Sequence, residues 1–302
     1  MLGTRKLSYG SETHLEDTTS RITTIKSALT WAHHVLKGVA DNPSREARLL
    51  LCHVLDAQPE YLIQYEDKVL TIEEAARFSQ LAAERARGMP MAYLLGYQGF
   101  YDIEVAVNPD VLIPRPETEL LVEKALEWAS NRQHSFIVDV GTGSGIIALV
   151  LAKHLRNAHI TAVDVSQTAL DVAQKNGETL GVANRVRWLH GDLLQPLIQM
   201  HDFVDLIVAN LPYIETEVLG QLEVSKYEPI IALNGGSDGL DYFRRLFAEA
   251  PFVLRPRGAI LLEIGASQSY HVSELARQTF PDAVITVDKD LGNHDRVVSV
   301  QL

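Results

Sequence analysis

A chain of 302 residues, 46% hydrophobic and 22% charged, exceeds one typical domain and has apolar matter for one large or two smaller cores. Its net charge of -12 is uneven, with 11 Lys/Arg against 12 Asp/Glu in residues 1–88 and 16 against 27 in residues 89–302. The later part lacks the cationic footprint that tracks a duplex, which disfavours nucleic acid as a partner. The single Cys52 excludes an internal disulfide, and no run approaches the ~18 apolar residues of a membrane span, so a cytoplasmic protein without a membrane partner is expected.

Residues 1–20 are polar, without period and without a hydrophobic signal core, and read as a flexible arm. Residues 21–88 then read as a small all-α domain of four or five helices. Leu29, Ala32, His33 and Leu36 recur at helical spacing, Asn42-Pro43-Ser44 opens a second helix, and Thr71-Ile72-Glu73-Glu74 is a capping box. The His33-His34 pair has no accompanying ligand set, so no metal site is expected. Residues 89–113, with aromatic and β-branched residues broken by Gly96, Gly99 and Asn108-Pro109, read as a hairpin or linker.

From residue 114 to 302 helices alternate with short apolar strands. The pattern predicts helices near 117–130, 145–155, 167–180, 238–254 and 268–279. Strands are predicted at 135–140, 158–164, 185–190, 204–209 and 258–264, with a final pair near 283–301. Such alternation implies an α/β fold with a mostly parallel sheet, and it places ligands at the carboxyl ends of the strands.

Four strand ends carry polar residues. The first is Asp139-Val140-Gly141-Thr142-Gly143-Ser144-Gly145, a Gly-rich turn that lets the backbone approach a ligand and opens a helix with free N–H groups. A dinucleotide fingerprint needs Gly or Ala at position 146, where Ile stands. Gly-x-Gly-x-Gly with Asp two residues ahead instead resembles the first motif of S-adenosylmethionine (AdoMet)-dependent methyltransferases. Asp164 ends the second strand, where a carboxylate can accept both ribose hydroxyls of a nucleoside cofactor. Asp192 ends the third and is placed to take the exocyclic amine of adenine, with Leu193 flanking the ring; a helix-cap Asp is the competing reading. The fourth strand delivers Asn210-Leu211-Pro212-Tyr213. An Asn side-chain carbonyl and the backbone carbonyl beside it can accept both hydrogens of a planar NH2 group, the Pro stiffens the turn, and Tyr213 can pack against the flat group. Alone, the same four residues also fit an ordinary turn.

Beyond these motifs, several stretches carry a more specific likeness: Arg87-Gly88-Met89-Pro90-Met91-Ala92-Tyr93, Val111-Leu112-Ile113-Pro114-Arg115-Pro116-Glu117-Thr118-Glu119, Tyr227-Glu228-Pro229, Gly235-Gly236-Ser237-Asp238-Gly239-Leu240, Glu263-Ile264-Gly265 and Asn293-His294-Asp295-Arg296. With them the chain resembles the peptide chain release factor glutamine methyltransferases of the PrmC/HemK type. The resemblance implies a Rossmann-like AdoMet-dependent methyltransferase domain over 114–302. It implies N5-methylation of the Gln in the Gly-Gly-Gln tip of bacterial release factors, with the helical domain helping to hold that protein. It further implies AdoMet contacts from Gly141 to Gly145, at Asp164, Leu193 and Asn210, and a substrate site at Asn210, Leu211, Pro212 and Tyr213. Two positions depart from the family pattern: Leu211 stands where Pro is usual, and Leu193 where an aromatic ring is common. The Asn-Leu-Pro-Tyr form resembles that of ribosomal RNA adenine dimethyltransferases, so N6-adenine methylation is the alternative. A non-catalytic AdoMet-binding protein is a third reading, opposed by Asn210, Pro212 and Tyr213.

Overall fold

In the computed structural model, residues 22–130, 132 and 134–302 are described. The arm expected over 1–20 lies outside them. The chain divides into two compact units, one ending at Leu95 and one beginning at Gly96.

The first unit is helical. Helices run Ile25–Leu36, Pro43–Leu55, Pro59–Gln64, Ile72–Ala86 and Met91–Leu95. Their starts follow from the chemistry of the chain: Thr24 and Thr71 each close a capping box, and Asn42 caps a helix whose first residue is Pro43. Ile25, Ala28, Ala32, Leu36, Leu50, Leu51 and Phe78 fill the core. The unit extends past the boundary expected at residue 88. Pro90 opens a further turn, its carbonyl accepting from the Tyr93 and Leu94 amides, and Leu94 buries itself in the helical core. The Gly-Met-Pro sequence that reads as a domain end is therefore a helix start, with Pro near N1 where its missing N–H costs nothing.

The second unit opens with a hairpin, β1 (Tyr97–Phe100) and β2 (Ile103–Ala106). After a helix over Thr118–Ser130 come β3 (Ser135–Val140), β4 (Ala158–Asp164), β5 (Val186–His190), β6 (Val204–Ala209), β7 (Leu254–Glu263), β8 (Val284–Lys289) and β9 (Asp295–Gln301). Among the described residues these form a seven-stranded sheet of order β5-β4-β3-β6-β7-β9-β8, parallel except for β9, which runs antiparallel to both neighbours. Helices over Ile146–His154, Gln167–Thr179, Asp241–Glu249 and Ser269–Thr279 belong to the same unit. Strands covered on both faces need apolar side chains on both, and Ile137, Val138, Ile160, Val163, Leu206, Ile207, Ile260 and Leu262 are all buried. The helix expected over 238–254 is shorter, because Pro251 diverts its end into a single tight turn before β7.

The strand order decides where a ligand fits. The chain winds outward from β3 through β4 to β5, then returns to place β6 on the other side of β3. The crevice where winding reverses, above the ends of β3 and β6, is the topological switch point. Register sharpens this: Val140 lies beside Val163 on one side and Ala209 on the other, so Gly141, Asp164 and Asn210 leave the sheet together.

Candidate active site

A cavity occupies this switch point, where open α/β sheets place small-molecule ligands. Gly141, Gly143, Asp164, Asp192, Leu193, Asn210, Leu211 and Pro212 line it. Of the residues expected to meet the cofactor, Asp139, Thr142, Ser144 and Gly145 are not on its wall. Those four shape the turn instead. Asp139 is wholly buried, and its Oδ2 accepts from Thr142 Oγ1 at 2.6 Å and from the Ala148 amide at 3.1 Å, tying the turn to the helix it opens. Ser144 gives its carbonyl to Asn176, whose amide also clasps the Ala106 backbone of β2 from both sides. Burial pushes the Asp139 carboxyl up to about 7 against the pull of those two hydrogen bonds, and its Oδ1 has no partner among the described residues.

Asp164 sits at the cavity, Oδ2 accepting from the Gly143 amide and Oδ1 from the Ser166 amide, each at 2.8 Å, with the Val165 amide also hydrogen-bonded to the carboxyl. A carboxylate offers about four acceptor sites, so capacity for a ligand hydroxyl remains beside these three amides. Asp192 faces the same cavity while ion-paired to Arg245. Leu193 is buried and held at φ +48°, a conformation costly for a bulky residue and found where a side chain must be aimed. A Cβ on Gly143 would meet nothing within 4 Å, which leaves that stretch of backbone open to a ligand. Open backbone, a carboxylate with spare lone pairs and an apolar flank suit the ribose and adenine of AdoMet.

A second cavity adjoins, lined by Arg115, Tyr213, Ile214, Val224, Leu233 and Glu263. Leu112, Asn210, Leu211 and Ala232 line both. Leu211 is buried, and a Cβ on Gly141, itself at φ +73°, would stand 3.3 Å from its side chain, so the bulkier Leu at the family's Pro position is seated against the glycine turn. Asn210 Nδ2 donates to Thr118 Oγ1 at 3.1 Å. Behind it lies Glu263, almost fully buried, to whose carboxyl both Thr118 and Asn210 hydrogen-bond.

The turn itself is braced from outside. Gln268 Nε2 donates to the Tyr213 carbonyl at 3.0 Å, and the Gly235 amide donates to Ile214 at 2.8 Å. At Gly239, φ +73°, a Cβ would stand 2.4 Å from the Tyr213 carbonyl oxygen, so only glycine permits this approach. Burial pushes the Tyr213 phenol up to about 12, which keeps it neutral. Arg115, in turn, pairs with the buried Glu228, which also accepts from the Ile113 amide at 3.0 Å. Thr118, Glu263, Gln268 and Asn176 are the functional supports that sequence reasoning leaves without a role. Three of them lie in or beside stretches already singled out, while their partners stand tens of residues away. Among the described residues no cluster of three or more His, Cys, Asp or Glu side chains could hold a metal, and no helix is long and apolar enough to cross a membrane.

Known proteins agree with this architecture. Residues 27–96 match the PrmC N-terminal domain and residues 137–222 match the methyltransferase domain. The release factor glutamine methyltransferase of Moorella thermoacetica is 43% identical over 259 residues, spanning 84% of this chain and 90% of its own. That of Bacillus anthracis is 36% identical over 287 residues, spanning 92% and 99%. The fold is shared with the catalytic domain of hMettl16, solved in complex with MAT2A 3′UTR hairpin 6, at a TM-score of 0.54, 16% identity, 78% of this chain and 84% of that one. AdoMet is accordingly the cofactor of this Rossmann-like domain. The chain belongs to the release factor glutamine methyltransferase family.

Proposed function

We propose that this enzyme methylates the side-chain amide nitrogen (N5) of the glutamine in the Gly-Gly-Gln tip of bacterial release factors, in the cytoplasm, and that its helical unit helps to hold that protein. One observation carries the reading: Asn210 and Leu211 stand in the wall common to two adjoining cavities, with the Asn210 NH2 end already spent on Thr118. The Asn210 carbonyl oxygen and the Leu211 backbone carbonyl are then the acceptors left for the two hydrogens of a planar NH2 group.

Bound AdoMet supplies an electrophilic sulfonium methyl group. Asp164 holds the ribose hydroxyls, Asp192 and Leu193 hold the adenine, and the backbone of Gly141 and Gly143 borders the cofactor. An amide nitrogen is a weak nucleophile because its lone pair is shared with the carbonyl, the delocalisation that gives peptides their ~18–20 kcal/mol rotation barrier. Two fixed acceptors on its hydrogens stabilise the positive charge that grows as nitrogen gains the methyl. Holding the nitrogen in line replaces a bimolecular encounter with an oriented one. Tyr213, neutral and half-buried, packs as a plane and takes no proton. The proton leaves the nitrogen after transfer, so no general base is required.

Leu211 supports a second reading, adenine methylation in nucleic acid, and the net acidity of residues 89–302 opposes it. Incubation with labelled AdoMet and either release factor or RNA separates the two. Label in the release factor, mapped to its Gly-Gly-Gln glutamine, is expected; label in RNA alone overturns the proposal.

A further inference from the structure

Glu263 is a buried carboxylate that the chemistry above does not use. It closes β7, which pairs with β6 up to Ala209↔Leu262, so it ends one strand away from Asn210. It is 1% exposed, its Oε2 has no partner among the described residues, and Thr118 and Asn210 are the neighbours that hydrogen-bond to it. A carboxylate so placed costs stability that an apolar residue would not.

We propose that Glu263, acting through Thr118, is a positioning residue that locks the Asn210 amide with its carbonyl oxygen toward the substrate nitrogen. The inference rests on the role given to Asn210 above. The number of protons available decides the orientation. An ionised carboxylate only accepts, so the single hydroxyl proton of Thr118 goes to Glu263. Thr118 Oγ1 is then left as an acceptor toward Asn210, and the 3.1 Å contact must be made by Nδ2. The reversed amide would set its oxygen against both the Thr118 oxygen and the carboxylate. Protonated Glu263 becomes a donor, frees the hydroxyl to turn, and permits the reversed amide.

The surrounding charges set the pH at which this happens. Burial pushes the Glu263 carboxyl up to about 7; the Thr118 hydrogen bond, Arg296 on β9 and the Asn210 hydrogen bond oppose that shift, while Glu117 adds to it. Tyr213 and Arg115 line the second cavity with it. Arg296 is engaged elsewhere, by Asp290 Oδ2 at 3.1 Å and the Ile264 carbonyl at 3.2 Å, so it does not form the missing pair. Methyl transfer therefore declines as pH falls through about 7.

The test measures kcat against pH, the KM for release factor and AdoMet affinity in the full chain carrying Glu263→Gln, Thr118→Val, Thr118→Ser or Asn210→Ala. Glu263→Gln and Thr118→Val are expected to lower kcat at pH 8 by at least ~10-fold, because a misaimed acceptor no longer meets the reacting nitrogen. KM and AdoMet affinity should stay within about twofold, the signature of an interaction made mainly in the transition state. Glu263→Gln should also lose the acid limb near pH 7, and Thr118→Ser, which keeps the hydroxyl, should restore turnover. Preserved AdoMet affinity shows that each variant is folded. If Asn210→Ala is inactive while Glu263→Gln and Thr118→Val turn over like the parent with its acid limb, the positioning inference fails and the functional reading stands. If Asn210→Ala itself turns over fully, both fall.

Discussion

The two walls of the site are built in opposite ways. The cofactor wall is the more local: its glycine turn is shaped mainly within Asp139 to Ala148, braced by Asp164 from the neighbouring strand and by Asn176 on Ser144. The acceptor wall is assembled from distant pieces, with Asn210 held by Thr118, Glu263 behind both, and the Tyr213 carbonyl held by Gln268 and approached by Gly239. A local wall forms when its strand and helix form. A dispersed wall exists only when the whole sheet is in register, so each of its supports affects orientation rather than cofactor binding. Changes on the first wall should therefore appear in cofactor affinity, and changes on the second in kcat.

The largest expected effect tests that division directly. Asn210→Ala removes one of two acceptors and should reduce kcat by ~10²–10³-fold, the loss typical of a single charge-stabilising group. AdoMet affinity, measured by calorimetry, should change little. A large loss of affinity with kcat preserved at saturation would put Asn210 on the cofactor wall. Gly239→Ala comes next. Its Cβ would stand 2.4 Å from a backbone oxygen at a φ of +73°, so the Tyr213 turn or the Gly-rich stretch must move. A destabilisation of roughly 1–3 kcal/mol in denaturant melts is expected, together with a fall in kcat exceeding any rise in the AdoMet KM. Asp164→Ala should be of the other kind. AdoMet binding weakens by about 10-fold or more, since two ribose hydroxyls lose a charged acceptor, and activity recovers in part at high AdoMet. Failure of excess AdoMet to restore any turnover would mean that Asp164 serves the turn more than the ligand.

The same contrast explains what the sequence reveals and what it hides. Local patterns are written consecutively: the Gly-rich strand end, the apolar runs of β3, β4 and β6 and the Thr71 capping box are each readable within ten residues and reappear at their expected places. The strand-end series Asp139, Asp164, Asp192 and Asn210 is legible too, because a parallel sheet brings its carboxyl ends to one edge. What it could not reveal is which strand end faces inward. Asp139 lies inside its strand, level with Ala162, and is sealed beneath the turn, whereas Asp164 ends its strand and lines the cavity. Three-dimensional pairings such as Thr118 with Asn210, or Asn176 with Ala106, link residues dozens of positions apart and leave no periodic trace. The boundary at Leu95 is hidden for a related reason: one helix stops at Ala86, Pro90 starts another, and only burial of Leu94 assigns the second to the helical core.

Asp139 supplies the smallest effect on cofactor affinity and the most specific one, because it separates bracing from binding by pH alone. Its carboxyl is pushed by burial from 3.8 to about 7 in the fold, and in the unfolded chain it titrates near 3.8. A raised pKa means that the fold favours the protonated form. The stabilisation is therefore complete below about pH 3.8 and is lost as pH rises through about 7. Asp139→Asn keeps an oxygen for the Thr142 hydroxyl and the Ala148 amide but cannot ionise. Relative to the parent, its stability should rise between pH 4 and 7 by at most about 1.4 kcal/mol per pH unit and then level off. Thermal unfolding across that range measures the difference. A constant offset would mean that Asp139 is already charged in the fold at low pH. A variant whose AdoMet affinity collapses at every pH, with melting unchanged, would return Asp139 to the cofactor wall. The expected pattern, a pH-dependent change in stability with affinity nearly preserved, requires a carboxyl that touches the turn and not the ligand.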